Sequence, residues 1–340
     1  MTLHFDQRMR DSDPASGVLP FSDAVRREIL DAAKVPETDH LDRGRRPRLR
    51  LLLAACAGLI VAGLGYQSVT ASVGSAEAAQ VLSQAAIQAS DQPSKPGQYW
   101  EITRIGTNLY SDTDDRMFVV RTVHVDYIAV DGKRPSWFVR GGASTIRQLA
   151  GPPATGPVTW AGREAWTTNL SPEQKPAWWS EPSPSWFASL PRDTTKLRAR
   201  LYADTKGHGN NPDDEAFVYV ADVLRSGVVP ADLRAALYKV LETIPGTTVT
   251  DRRVTLEDGR TGVAIGRNDI FGSHKELVID PSSGQVLGER SFMRLTPVVG
   301  ERVAFSTGVQ RRLVDAVPAD IQRMAVHQTC KVVNGEVLCA

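Results

Sequence analysis

Residues 51–66, LLLAACAGLIVAGLGY, form an uncharged and mostly apolar run, and five arginines crowd its upstream side at positions 43, 45, 46, 48 and 50. Leu49 before the run and Val69 to Val73 after it extend the apolar stretch, interrupted by Gln67 and Ser68. A bilayer core of about 30 Å asks for about 17–25 apolar residues, so the sequence predicts a membrane-spanning helix over 51–70. A buried helix of a soluble protein is the alternative, and the flanks weigh against it: no Lys or Arg occurs between residues 51 and 94. That asymmetry puts the N-terminus in the cytoplasm and the bulk of the chain outside. The stretch Leu53 to Cys56 resembles a lipoprotein cleavage box, but only Leu51 to Ala55 of the run precede the cysteine, so Cys56 reads as a small residue inside the span. A cleaved leader would need about fifty residues before its cleavage site, against the usual 15–30, so an uncleaved anchor is expected.

The last residues carry a second constraint. In TCKVVNGEVLCA, residues 329–340, Asn334-Gly335 suits a two-residue type I′ turn, which needs positive φ at both positions. Counting outward pairs Val333 with Glu336 and Cys330 with Cys339, the latter at a non-hydrogen-bonded position where Cα atoms approach to about 4.5 Å, within disulfide reach. A Cys330–Cys339 bridge needs an oxidising compartment, in agreement with export through the span. The alternatives are two free thiols, or a metal site borrowing His327, although H-x2-C-x8-C matches no established zinc spacing.

Charge then excludes a class of partner. Residues 1–50 hold ten Lys/Arg and nine Asp/Glu of the chain's 40 and 39, which leaves 30 of each for the remainder. A nucleic-acid footprint would need a basic surplus on the exported part, so no nucleic acid is expected as a partner. The 265 residues from 76 to 340 are enough for one large domain, and a hydrophobic content of 41% is ordinary for a folded chain.

The reading divides the chain into a cytoplasmic segment over 1–50, a transmembrane helix over 51–70 and an extracytoplasmic domain over 75–340. In the first, Phe21, Val25, Ile29, Ala32 and Ala33 make one stripe of a short helix capped by Ser22, which either docks on a partner or lies against the membrane. Outside, Ser75 is expected to cap a helix whose apolar positions Ala78, Val81, Leu82, Ala85, Ala86 and Ala89 continue to residue 90. Strand-like runs follow at 98–106, 116–130 and 134–140. Residues 151–192 are Pro-rich and hold five of the seven tryptophans, either as a lid over the sheet or as an exposed binding surface. A helical insertion over 194–243 consists of Thr194–Asp204, Asp213–Ser226 and Ala231–Thr243, with Pro212 and Pro230 at or before helix starts. Strands return at 247–259, 260–267, 274–295 and 301–317, and the hairpin 330–339 closes the chain. The pattern reads as α+β: one transmembrane helix, then an extracytoplasmic antiparallel sheet with packed helices and a terminal β-hairpin.

No reaction is specified by motif. The six histidines, at 4, 40, 124, 208, 274 and 327, belong to no H-E-x-x-H, and no G-x-S-x-G, C-x-x-C, P-loop or S-x-x-K occurs. His124 falls mid-strand as a sheet residue, and His274 precedes a strand with Glu276 as its nearest acid. The acidic clusters at 112–115 and 211–215 lack EF-hand spacing and read as turns. DGRTGVAIG opens no helix, which argues against a phosphate cradle. No cofactor, metal ligand or catalytic residue is expected, and a hydrolase would need residues scattered too widely for the sequence to reveal.

The Arg-rich entry to the anchor, the AEAAQVLSQAA helix leading to GQYWEITRIG, and the later IPG, DGRTGVAI and ELVIDPSSGQVLG resemble an actinobacterial family of single-pass membrane proteins of uncharacterised function, over roughly residues 20–317. The resemblance implies a neighbour of extracytoplasmic-function sigma factors, with an outer domain similar to the half-open β-barrel of lipoprotein carriers and of sensors that regulate anti-sigma factors. It implies no catalytic residues. The expected function is therefore a membrane-anchored, non-enzymatic extracytoplasmic sensor or accessory protein, with the bilayer and a sigma-factor or anti-sigma partner at the cytoplasmic segment. The alternative is a tethered carrier that binds a lipid or lipoprotein in an apolar groove, a concave shape that the curved sheet and helices would supply.

Overall fold

The computed structural model describes residues 73–112, 116–154, 162–209, 211–269, 273–294 and 302–339. The cytoplasmic segment and the span expected at 51–70 lie outside the described residues. Among the described residues no helix is long and apolar enough to cross a membrane. What is described is an α+β unit with a large sheet and six α-helices.

Helix α1, Val73–Gln88, opens it, beginning three residues earlier than a cap at Ser75 would allow. Strands β1, Tyr99–Ser111, and β2, Met117–Ala129, pair along thirteen residues from Tyr99↔Ala129 to Ser111↔Met117. Their β-branched and aromatic content, as in Phe118-Val119-Val120, suits a pleated, half-buried surface. Then come β3 (Trp137–Arg140), β4 (Ser144–Ala150) and β5 (Glu164–Thr168), followed by helices α2 (Pro184–Ser189), α3 (Thr194–Asp204), α4 (Pro212–Arg225) and α5 (Ala231–Leu241). The chain returns through β6 (Thr248–Thr255), β7 (Thr261–Asn268), β8 (His274–Asp280), β9 (Gln285–Arg294) and β10 (Arg302–Val314), and ends in α6 (Ala319–Met324), β11 (Val326–Gln328), β12 (Cys330–Val333) and β13 (Glu336–Cys339).

One eleven-stranded sheet runs β11-β5-β3-β2-β1-β10-β9-β8-β7-β6, with β4 also on β2; every pairing is antiparallel except β11 on β5. β10 therefore closes against β1 from the far end of the sequence, which the order of strand-like runs does not announce. The helices start where polar groups cap them. Asp193 accepts from Lys196 N before α3, and Asn211 accepts from Asp213 N and Asp214 N before α4, with Pro212 at its first position.

Period-two alternation assigns the strand residues to two faces. Leu277 and Ile279 of β8, with Ile265 of β7, pack under Leu82, Leu201, Phe217, Leu237 and Leu241 of the helices, whereas Val278 and Ala264 join Leu256 and Leu287 on the opposite side. On that opposite side, further along the sheet, Tyr99, Tyr127 and Val139 are covered by Val317 and Ile321, the latter on α6.

The Trp-rich stretch is ordered rather than irregular in β5 and α2. Trp179 is fully buried in the helical core, stacked on Tyr219 at 5.9 Å and edge-on to Trp186, and its indole N–H donates to Asp204 at 2.9 Å. Trp178 and Trp186 pack against the same core. Trp166 stacks on Phe138 at 5.6 Å, and Trp160 lies outside the described residues. Strands β4 and β11 and helix α6 have no counterpart among the elements expected from the sequence.

Candidate functional site

The site begins where a ladder stops. β9 and β10 pair from Arg302↔Arg294 only as far as Gly308↔Gly288. Beyond that point β10 continues along β1 to Val314, while β9 starts from Gln285 along β8. The strands fork, and one side chain bridges them: Arg260 Nη2 donates to Leu287 O at 2.9 Å and to Val309 O at 2.7 Å. Asp258, whose side chain is fully buried, holds that guanidinium through Nε at 2.9 Å. Burial would raise the Asp258 pKa, but the bonds from Arg260 outweigh it and keep the carboxyl below its ordinary value. Glycine is required at the fork because a Cβ on Gly288 would lie 2.0 Å from Thr307 O, and one on Gly308 2.3 Å from Asp258 Oδ2. The DGR turn is thus a clamp across a gap in the sheet.

Behind the fork lies a cavity of about 530 Å³ between the helix layer and the sheet. Leu224, Val229, Val286, Leu287 and Val309 supply its apolar wall, and Arg234, Arg260 and Arg311 stand around it. Arg234 is on the buried side of α5 with a side chain only 4% exposed. It donates to Gly284 O, Val229 O and Ser90 O, each at 2.9 Å, and to Asp91 at 3.1 Å. Arg311 pairs with the same Asp91 carboxylate and lies over the Trp100 ring at 5.0 Å. Burial would raise the Asp91 pKa; the two guanidiniums more than offset it and hold it below the usual carboxylate value. Asp91 lies three residues beyond the end of α1, so the segment that follows α1 is tied to α5 and β10 at the cavity wall.

A second cavity of about 380 Å³ lies along α4 between Phe217, Ala221, Asp222, Arg225, Glu289 and Phe305. Burial raises the Asp222 pKa despite Arg225 at 3.0 Å. On the same face of β1 and β2, Arg104 pairs with Asp126, whose pKa burial raises against that cation. Burial, reinforced by Arg140, lowers the pKa of the neighbouring His124. The helix-facing groove is thus amphipathic and rich in ion pairs.

The residues singled out in the sequence fall in separate places. Cys330 and Cys339 are direct cross-strand partners in the β12–β13 hairpin and are joined by a disulfide. Asn334 and Gly335 take φ of 52° and 83°, as a type I′ turn demands. His327 is not with the cysteines; its ring meets Trp137 edge-on at 5.6 Å. His274 is buried, with Nδ1 at 2.7 Å from Asn268 Oδ1 and Nε2 at 2.8 Å from Glu276, which Arg290 also contacts. The acidic cluster at 211–215 serves as a helix cap and as Asp214's ion pair with Arg267 at 2.8 Å. Among the described residues no group of three His, Cys, Asp or Glu could hold a metal ion. Sequence reasoning missed Asp91, Arg234, Arg260 and Arg311. The available signal was Arg234 on the apolar stripe formed by Leu237, Tyr238 and Leu241.

No family model matches the chain, and no curated protein does. Among solved structures it is similar to a DUF1329 family protein from Desulfovibrio piger, at 8% identity and a TM-score of 0.19, over 71% of this chain and 92% of that one. A likeness of that size carries no inference about activity.

Proposed function

We propose that the chain is a membrane-anchored, non-enzymatic extracytoplasmic sensor that works beside a sigma-factor pathway, with its N-terminus in the cytoplasm. One observation carries the reading: the interlayer cavity is bounded by the Asp91–Arg234–Arg311 cluster, which ties its wall to the end of α1. A ligand that binds preferentially when that cluster is rearranged shifts the position of α1, and with it the segment toward the bilayer, in proportion to its differential affinity for the two arrangements. A sheet of eleven strands with α1 and α3–α5 packed on one face is in keeping with a half-open barrel as the frame for such a site. The amphipathic lining favours sensing over bulk lipid carriage.

The test replaces residues 1–48 with an unrelated cytoplasmic segment and follows transcription from promoters of the partnered sigma factor under envelope stress. The sensor reading expects the response to vanish while the protein remains in the membrane. An intact response, or loss of lipid or lipoprotein transfer on deletion of the whole protein with no change in transcription, refutes it in favour of the carrier.

A further inference from the structure

At the other end of the sheet, on the face turned away from α3–α5, a separate pocket of about 320 Å³ is built around Tyr99, Arg134 and Trp137. Register fixes its floor: Trp137 of β3 lies opposite Thr167 of β5, which lies opposite His327 of β11. The His327 ring stands edge-on to Trp137. Gln328 and Thr329 continue this wall into Cys330, whose backbone the Asn169 side chain grips at both ends, accepting from its N–H at 2.6 Å and donating to its carbonyl at 3.1 Å. The disulfide-closed hairpin therefore grows directly out of one side of the pocket.

Arg134 is the group that this fold does not explain. Its guanidinium lies over the Tyr99 ring at 4.2 Å, and Nη2 donates to Gln98 O at 3.1 Å. Its Nε is shielded from solvent and has no acceptor. Among the described residues it makes no ion pair, whereas Arg104, Arg234, Arg260, Arg267 and Arg311 each face a carboxylate. Asp131, close in sequence, spends a carboxylate oxygen on Lys133 N. A guanidinium drawn partly out of water without a counter-charge is destabilising, and a buried donor without a partner calls for a cause. An anion from outside the chain, meeting the open edge of the guanidinium, supplies the missing counter-charge.

We propose that this pocket binds a small monocarboxylate with a flat apolar body, the carboxylate on Arg134 and the body against Trp137 and Tyr99. A planar guanidinium matches a carboxylate in two parallel bonds, and one such group with a mainly apolar surround is too few donors for a phosphate dianion. At about 30 Å³ per water, the volume is roughly ten water molecules, room for one substituted ring but not for an acyl chain or a glycan. Size and lining both fall in the ordinary range for small-ligand pockets. The proposal is independent of the sensor reading and of the interlayer cavity.

The test uses the full chain in lipid nanodiscs and three probes: benzoate, its neutral isostere benzamide, and acetate. Binding is followed by calorimetry and by tryptophan fluorescence, with Trp137→Phe to assign the signal. The proposal expects saturable benzoate binding, benzamide weaker by at least tenfold and acetate without saturation. Arg134→Gln should lose at least tenfold of the benzoate affinity without lowering the thermal transition, since an uncompensated cation is not what holds the fold. Equal affinity for benzoate and benzamide, no benzoate saturation, or unchanged binding by Arg134→Gln would overturn it. Should Arg134→Gln fail to fold, the arginine is structural and the proposal falls unless Arg134→Lys, folded, shows weakened benzoate binding with the charge retained.

Discussion

Replacing Arg234 by Met tests how the cavity wall is held. The stem keeps its packing, while the guanidinium and its four bonds disappear. A hydrogen bond from a charged donor contributes about 1.5–3 kcal/mol, so adding the four bonds would suggest a loss of about 6–12 kcal/mol. The structure argues for less. Gly284 O keeps the Tyr238 hydroxyl at 3.1 Å, Ser90 O keeps Gln285 Nε2 at 2.9 Å, and Asp91 keeps Arg311. Val229 O alone loses its only side-chain partner, and the desolvation cost of the guanidinium is recovered. A net loss of about 3 kcal/mol follows, which for a domain of this size lowers Tm by roughly 6–12 °C. Asp91→Asn leaves the three carbonyl bonds of Arg234 in place, and its carboxylate is 24% exposed, so about 1 kcal/mol is expected. Urea unfolding followed by far-UV circular dichroism gives both values, provided that the transition is two-state. A cost under about 1 kcal/mol for Arg234→Met, or an equal cost for Asp91→Asn, would refute the view that carbonyl bonds, rather than the ion pair, fix Arg234.

Further outcomes are expected elsewhere. Gly288→Ala should destabilise by more than about 2 kcal/mol or perturb the fork, seen as lost hydrogen-exchange protection in β9 and β10, because the new Cβ meets Thr307 O. For Glu276, burial acts to raise the pKa, but bonds from His274, Arg290 and Thr250 bring it down to about 2. Its stabilising contribution is therefore complete above the unfolded value near 4.3 and is lost as pH falls toward 2, and Glu276→Gln should flatten that limb of a stability–pH curve. Cys330→Ser with Cys339→Ser should leave the main thermal transition within a few degrees and make the terminal hairpin protease-sensitive. A short loop of this kind is worth at most about 3 kcal/mol in the unfolded chain and lies outside the main sheet. Two free thiols in the non-reduced protein would contradict this account of the hairpin.

Local signals were legible in the sequence, and long-range ones were not. Thr194–Asp204 was readable to the residue because Asp193 caps it and apolar spacing continues to Leu201. The hairpin register was readable because Asn-Gly sets the turn and alternation does the rest. By contrast, the β10–β1 pairing joins residues about two hundred positions apart, and no periodicity encodes it. The cavity depends on that closure, since Arg311 on β10 meets Asp91 only once the sheet is assembled. The Trp-rich stretch was obscured by its prolines: Pro184 starts a helix rather than interrupting one, and Trp179 reaches the core through contacts with α3 and α4. The lone cation at Arg134 had no sequence signature, because nothing in the sequence says which arginines will find an acid.

The tethered-sensor account stands on the placement of its two ends, and cysteine labelling in intact cells measures that placement most directly. In a Cys56→Ala background, Pro20→Cys and Asn210→Cys are each exposed to a membrane-impermeant thiol reagent. Labelling at 210 and protection at 20 until the cells are opened is the predicted result. Labelling at 20 with protection at 210 would contradict it.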